Sequence, residues 1–181
     1  FVAHVRRLSE SDVRDVAPLP YRRVLSERQS SRWRRKLAER WDANPREQYW
    51  YPLRPDPLPP NALALQHLHF MLEVSPKTFR SLFFQRGVTR AFEFVENHVF
   101  ERDYELDVEW IVPVGVERFW TSRSLDWVLY VSHEHSITFA GEWLIEGVKA
   151  IWPNWRHRRY TGWEYAAPLQ QRLLDASPRT R

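Results

Sequence analysis

The sequence predicts an α+β fold in which a four-stranded, mainly antiparallel sheet is covered on one face by helices. Four short strand-like segments follow one another between about residues 103 and 140, and their short connections are typical of an antiparallel meander. Segments with helical periodicity lie before and after them. A chain of 181 residues, 43% hydrophobic and 28% charged, is expected to form one domain over residues 1–181.

Residues 21–43 predict a helix that packs on the core through one narrow stripe. Trp33, Leu37 and Trp41 recur every four residues, which places their side chains on one face of a helix. The other positions are rich in arginine, so a basic surface is expected to face solvent. A shorter helix is predicted over residues 9–16.

Residues 45–60 predict an extended connector that wraps the domain. Six prolines fall in this stretch, a density that excludes a helix or a central strand. Tyr49, Trp50 and Tyr51 lie among them and favour packing against the core over recognition by another protein. Residues 1–60 are therefore expected to form a basic helix and a proline-rich segment that pack on the core.

The next segments predict a strand followed by a helix. Residues 62–73 alternate loosely between their two faces, as a strand does. Ser75 and Pro76 suit a helix start, because serine caps the N-terminus and proline fits the first turn. That helix is expected to end at Arg86.

The segment after Thr89 fits two structures. Thr89 suits the cap of a second helix, whereas Phe92 and Phe94 also suit a strand. The pattern then becomes that of strands and a closing amphipathic helix. The strands are expected at residues 103–112, 116–121, 126–132 and 136–139, and the helix at 141–152.

The first strand of the meander carries the most unusual pattern in the chain, an unbroken alternation of acidic and apolar residues. Because strand side chains alternate between faces, one face is expected to carry four carboxylates, those of Asp103, Glu105, Asp107 and Glu109. Three interpretations remain open: a solvent-exposed face, a counter-surface for basic residues of the same chain, or a docking surface for a basic partner or metal. Acid–base catalysis is disfavoured, because four acids in an open row are expected to be ionised.

Charge is segregated along the chain, whose net charge is +4. Residues 1–54 carry +6, residues 55–152 carry −6 and residues 153–181 carry +4. Such blocks often mark interaction surfaces, although the basic ends can also fold back on the acidic middle. Arginine outnumbers lysine 24 to 3, which we attribute to a GC-rich bacterial genome rather than to selection for guanidinium geometry.

The histidines form two small clusters, each of which could supply two metal ligands. His67 and His69 are expected to share a strand face, and His133 and His135 flank Glu134 at a predicted hairpin turn. No third ligand is marked by spacing, and the chain has no cysteine. We therefore expect no metal and no other cofactor, and these four histidines are the first candidates if a metal binds.

The segment from Trp155 to Tyr160 alternates cations with aromatic rings through Arg156, Arg158 and Arg159. This mixture suits single-stranded nucleic acid, whose bases stack and whose phosphates pair, and it also suits a protein-binding hot spot. We favour a third interpretation, in which the tryptophans cover the sheet and the arginines face water.

The sequence contains none of the common catalytic motifs, such as a phosphate-binding glycine loop, G-x-S-x-G or H-E-x-x-H. It has no apolar run long enough to cross a membrane and no signal-peptide pattern at its start, so a cytoplasmic location is expected by default. The leading hypothesis is a non-enzymatic, immunity- or antitoxin-like protein whose acidic strand face docks on a partner with a basic surface. The alternative is a nucleic-acid-binding accessory protein that uses the arginine-rich helix of residues 21–43 and the tryptophan and arginine tail, with weak affinity expected. An enzyme of unknown type is third.

Overall fold

The computed structural model describes residues 19–43, 50–54, 56–96, 102–113 and 117–169. Within these residues the chain forms a seven-stranded sheet in the order β1-β4-β3-β5-β6-β7-β2, and every neighbouring pair is antiparallel. The strands are β1 (Arg22–Val24), β2 (Ala62–Gln66), β3 (Arg90–Val95), β4 (Tyr104–Asp107), β5 (Arg118–Thr121), β6 (Val128–Val131) and β7 (Ser136–Ala140).

Helices α1 to α4 connect or follow these strands. They are α1 (Glu27–Trp41), α2 (His67–Glu73), α3 (Pro76–Gln85) and α4 (Glu142–Ile151), with 3₁₀ turns at Val108–Trp110, Pro153–Arg158 and Trp163–Tyr165. α1 begins with a capping box in which Ser26 and Gln29 satisfy each other's backbone N–H groups. Among the described residues, no helix combines the length and apolar character needed to cross a membrane.

The core lies on both faces of the sheet. On one face, α2, α3 and α4 bury side chains such as Phe83 and Leu144. On the other face, α1 and the segment around Trp50 bury Leu37 and Trp50 against Phe119 and other sheet residues. Helical cover on a single face, as the sequence predicted, is therefore wrong, because the inner strands are apolar on both sides.

The predicted α+β class is correct, but the four-stranded sheet is wrong. β3 inserts between β4 and β5, so residues 103–140 are not one meander. Of the strands in that range, only β5, β6 and β7 are sheet neighbours in sequence order. Of the two structures left open after Thr89, the strand is correct and the helix is wrong. β3 is buried on both faces except at Arg90, which hides the period of two that would have favoured the strand. β1 was missed because its three residues have no apolar alternation and are held by pairing with β4.

Several element boundaries also differ from the expectation. The strand predicted at residues 62–73 ends at Gln66 and continues directly as α2, so His67 and His69 lie on a helix. The acidic strand predicted at 103–112 ends at Asp107 and turns into a 3₁₀ helix. The helices predicted after Ser75 and at residues 141–152 are confirmed as α3 and α4, whereas the helix predicted at residues 9–16 lies outside the described residues.

Candidate functional site

The first carboxylate of the acidic row is buried in an ion pair with α1. Asp103 Oδ1 and Oδ2 accept hydrogen bonds from Arg34 Nη2 at 2.5 Å and from Arg34 Nε at 2.8 Å. The two side chains are only 7% and 10% exposed. Arg34 Nη2 also donates to Val95 O at 2.8 Å, and Ser30 Oγ donates to Asp103. This bidentate pair fixes α1 to the sheet.

The next carboxylate lies beneath two arginines. Glu105 is 5% exposed, and its two oxygens accept hydrogen bonds from Arg23 Nη2 at 2.7 Å and from Arg123 Nη2 at 2.5 Å. Burial acts to raise the pKa of Glu105, but the hydrogen bonds from Arg23 and Arg123 outweigh it and hold the pKa below its usual value. Glu105 is therefore a stably ionised carboxylate.

The last two carboxylates of the row have different surroundings. Asp107 accepts from Arg90 Nε at 3.2 Å and from the Tyr21 backbone N–H at 2.6 Å. Glu109 lies on the 3₁₀ turn and is exposed. Three of the four carboxylates are thus paired with groups of the same chain, which is the counter-surface that the sequence left open as one interpretation.

The outward face of α1 leaves its arginines exposed. Arg28, Arg32 and Arg35 lie at positions i, i+4 and i+7, and together with Ser31 they line an open concavity of about 430 Å³. Arg35 is 3.9 Å from Glu39, with both side chains largely in solvent. Among the described residues, no carboxylate lies within ion-pair distance of Arg28 or Arg32. This surface is called the α1 arginine face below.

The tryptophan and arginine tail is partly neutralised and partly packed. Trp155 packs against the core face covered by α4, and the cationic groups of Lys149 and Arg156 lie 5.2 and 4.9 Å from the centre of its ring. Arg158 Nη2 lies 2.7 Å from Glu73 Oε1. Arg156 remains exposed.

The end of the tail lies along the free side of β2. Arg159 forms an isolated antiparallel bridge with Leu65, and Tyr160 N donates to Ala64 O at 3.1 Å. The Tyr160 hydroxyl donates to Glu134 O at 3.2 Å. The tail backbone is therefore held at the sheet, while the side chain of Arg159 is exposed.

The fold brings the two histidine clusters to the same end of the sheet. His67 N donates to His135 O at 2.9 Å, because the end of β2 lies beside the start of β7. His67 is 4% exposed, its Nε2 is hydrogen-bonded to Pro113 O, and its Nδ1 has no partner among the described residues. Burial lowers the pKa of His67 and that of His135. His69 lies apart, with Nδ1 3.1 Å from Glu73 Oε1.

A carboxylate–imidazole cluster forms where β5 begins and β6 ends. Glu117 immediately precedes β5, and His133 and Glu134 lie in the turn after β6, whose Val131 is paired with Arg118. His133 Nε2 lies 2.6 Å from Glu134 Oε1, and His133 Nδ1 contacts Glu117 Oε1. One potential ligand atom from each of the three residues lies within 4.8 Å of the others.

Glu96 lies at the same end of the sheet and has a strongly raised pKa. Its backbone N–H donates to Glu117 O at 3.1 Å, and its Oε2 accepts from the Tyr130 hydroxyl at 2.8 Å. Glu96 is 6% exposed. Burial raises the pKa of Glu96 to about 7 against the opposing hydrogen bond from Tyr130, and the charge of Glu134 adds to the rise.

Sequence reasoning named His133 and placed Glu134 beside it, but missed Glu96 and Glu117. Glu96, Glu117 and Glu134 are far apart along the chain and meet only because β3, β5 and β6 are adjacent in the sheet. The one local signal was the adjacent pair His133 and Glu134 at a turn. In comparisons with protein-family models, curated proteins and solved structures, the chain shows no significant match.

Proposed function

We propose that the protein is a non-enzymatic binding protein that acts through protein–protein contacts, and that the α1 arginine face binds an acidic surface on its partner. The exposed guanidinium groups of Arg28, Arg32 and Arg35 around one concavity are the observation that supports this proposal. The immunity- or antitoxin-like role predicted from the sequence is one instance of this class.

The sign of the partner's charge follows from which charged groups are already satisfied. Asp103 and Glu105 are buried against arginines of the same chain, so they offer little to a basic partner. The guanidinium groups of Arg28 and Arg32 keep free donors, and guanidinium matches carboxylate in planar, bidentate geometry. The α1 arginine face therefore offers an acidic partner more unpaired charged groups to bind than the acidic row offers a basic partner.

The positions of the basic segments favour a protein over a nucleic acid. A nucleic-acid-binding protein concentrates its cations on one connected face. Here α1 packs on one face of the sheet and Trp155 on the other. α1 is anchored by Asp103, just before β4, whereas the tail lies at β2. β4 and β2 are five positions apart in the sheet, which is about 24 Å at the usual strand spacing. Two such separated patches suit a compact acidic surface better than an extended phosphate backbone.

A crosslinking experiment tests the proposal. A photo-crosslinking residue replaces Ser31, which lies inside the concavity, and adducts are collected from the native cells. We expect a protein adduct whose yield falls as the salt concentration rises. The triple variant Arg28→Ser, Arg32→Ser and Arg35→Ser should abolish the adduct. The control variant Arg86→Ser, Arg156→Ser and Arg159→Ser removes the same number of charges and should retain it. Purified partner and variants then reproduce the loss in a binding titration.

Two outcomes would contradict the proposal. A nucleic-acid adduct would favour the accessory-protein alternative. Loss of that adduct in the control variant, which lacks Arg156 and Arg159, would favour it further. A protein adduct that survives loss of all three α1 arginines would show that contact at Ser31 does not depend on the arginine face.

A further inference from the structure

We propose that Glu117, His133 and Glu134 form a binding site for a divalent first-row transition-metal ion, with Zn²⁺ and Mn²⁺ as the ions to test. The three residues supply one imidazole nitrogen and two carboxylate oxygens within 4.8 Å of one another. This inference is independent of the α1 arginine face, which belongs to a different part of the molecule.

The sheet itself builds the site. Pairing of β5 with β6 sets Arg118 opposite Val131, so the residue before β5 meets the turn that follows β6. Glu96 N donates to Glu117 O, which fixes the backbone of Glu117 from its other neighbour, β3. The three ligands lie at the ends of paired strands, with Glu117 directly before β5 and His133 and Glu134 in the short turn between β6 and β7. Because both positions are anchored by strand pairing, little ordering is needed when an ion arrives.

Charge and chemistry match a divalent ion. A metal is bound by the deprotonated forms of its ligands. Two carboxylates and one imidazole in those forms carry a charge of −2, which one divalent cation cancels. Imidazole suits zinc and iron, whereas carboxylate suits manganese and magnesium. A mixed set with a nitrogen ligand favours a transition metal over Mg²⁺. Three protein ligands leave at least one coordination position open to water or another ligand.

Glu134 supplies a separate observation. Its Oε2 atom is buried and has no hydrogen-bond partner among the described residues, although the side chain as a whole is 28% exposed and its Oε1 lies 2.6 Å from His133 Nε2. An unpartnered buried carboxylate oxygen is costly, because desolvation is not offset by a bond. A cation coordinated by Glu134 would remove that cost.

Glu117 is the third ligand that the sequence did not reveal. The expectation of no metal rested on the lack of a third ligand at suitable spacing from His133 and His135. Sixteen positions separate Glu117 from His133 in the numbering, and the β5–β6 pairing brings them together. His67 and His69 are not part of this cluster.

Metal titration of purified protein tests the proposal. The protein is prepared without a histidine tag, stripped with a chelator and titrated with Zn²⁺ and Mn²⁺ by calorimetry, with stoichiometry checked by elemental analysis. We expect about one ion per chain, tighter binding of Zn²⁺ than of Mn²⁺, as general metal affinities predict, and weaker binding of Mg²⁺. His133→Ala and Glu117→Gln should each lower the affinity at least tenfold.

Matched controls make the result specific. His157→Ala and Glu142→Gln remove an exposed imidazole and an exposed carboxylate elsewhere and should leave the affinity unchanged. Circular dichroism of each variant checks that it is folded, and Glu134→Gln gives a third ligand variant if one of the first two fails to fold. Absence of stoichiometric uptake would overturn the proposal. Uptake that persists in the ligand variants but is lost with His67→Ala or His135→Ala would overturn it too.

Discussion

Arg34 and Asp103 form a bidentate ion pair that joins the middle of α1 to the backbone just before β4, with Nη2 and Oδ1 2.5 Å apart. Both side chains are about nine-tenths buried. Removing one member of such a pair leaves a desolvated charge with no counterpart, which is far more damaging than losing a surface pair.

We therefore expect Asp103→Ala to lower the free energy of unfolding by about 3–5 kcal/mol, measured by urea denaturation. The exposed pair of Arg35 and Glu39 provides the control, because Glu39→Ala should cost less than about 1 kcal/mol. Similar losses in the two variants would mean that the buried pair adds nothing to the attachment of α1.

Glu105→Ser separates the interpretations of the acidic row. Because Glu105 is buried and accepts hydrogen bonds from Arg23 and Arg123, its loss should lower the melting temperature by several degrees, through about 1–3 kcal/mol of lost charged hydrogen bonding. Glu109→Ser, at the exposed end of the row, should leave the melting temperature unchanged. An unchanged melting temperature for Glu105→Ser would restore the solvent-exposed or docking interpretation of the row.

Glu96 should make stability depend on pH near neutrality. The pKa of Glu96 is raised from 4.5 to about 7 by burial, so the folded state holds its proton more tightly than the unfolded state. The stabilisation is complete below pH 4.5 and is lost as pH rises through 7, by up to about 3 kcal/mol. Glu96→Gln keeps an acceptor for Tyr130 and removes the titration.

The measurement is the difference in unfolding free energy between the wild type and Glu96→Gln from pH 5 to pH 8, with chelator present. Taking the difference cancels the opposite contribution of His67 and His135, whose lowered pKa values make stability rise with pH. The wild type should lose stability relative to the variant across this range. A constant difference would show that Glu96 titrates at its ordinary pKa.

Gly141 is required at the start of α4 by both its backbone and its surroundings. Its φ is +99°, and an added Cβ would lie 2.4 Å from Asp126 O. Gly141→Ala should therefore displace the backbone at Asp126, in the loop before β6, and lower the urea midpoint strongly. Gly87→Ala is the control, since φ is +68° there but the space is open, and its cost should be only about 1–2 kcal/mol. Equal losses would mean that α4 can move away from the sheet.

The sequence predicted the elements whose signals are local. The serine cap before α3 and the amphipathic pattern of α4 are readable from a few neighbouring residues, whereas the helix predicted from residue 21 begins only at Glu27. The size of the sheet was not readable, because β1 is a strand only through its pairing with β4, and β3 is buried on both faces. Propensity and period carry no information on such tertiary pairing.

The same limit applied to the sites. The alternation from Asp103 to Glu109 revealed the row of carboxylates but not the arginines that would neutralise it, since Arg34 and Arg123 lie far away in sequence. His133 was visible as a candidate, but its neighbours Glu96 and Glu117 depend on strand order. Residue type predicted a side chain's surroundings where neighbouring residues of one segment formed them. It did not predict them where they depended on the pairing of two strands.

The attachment of the tail to β2 has a consequence for self-association. Arg159 and Tyr160 occupy hydrogen-bonding positions at Leu65 and Ala64, on a strand that would otherwise present a bare template to other chains. A chain cut before Pro153 should therefore polymerise through β2 at concentrations where the intact chain stays monodisperse, as light scattering would detect. The segment that carries Arg159 and Tyr160 would then protect the edge of β2 from pairing with another chain.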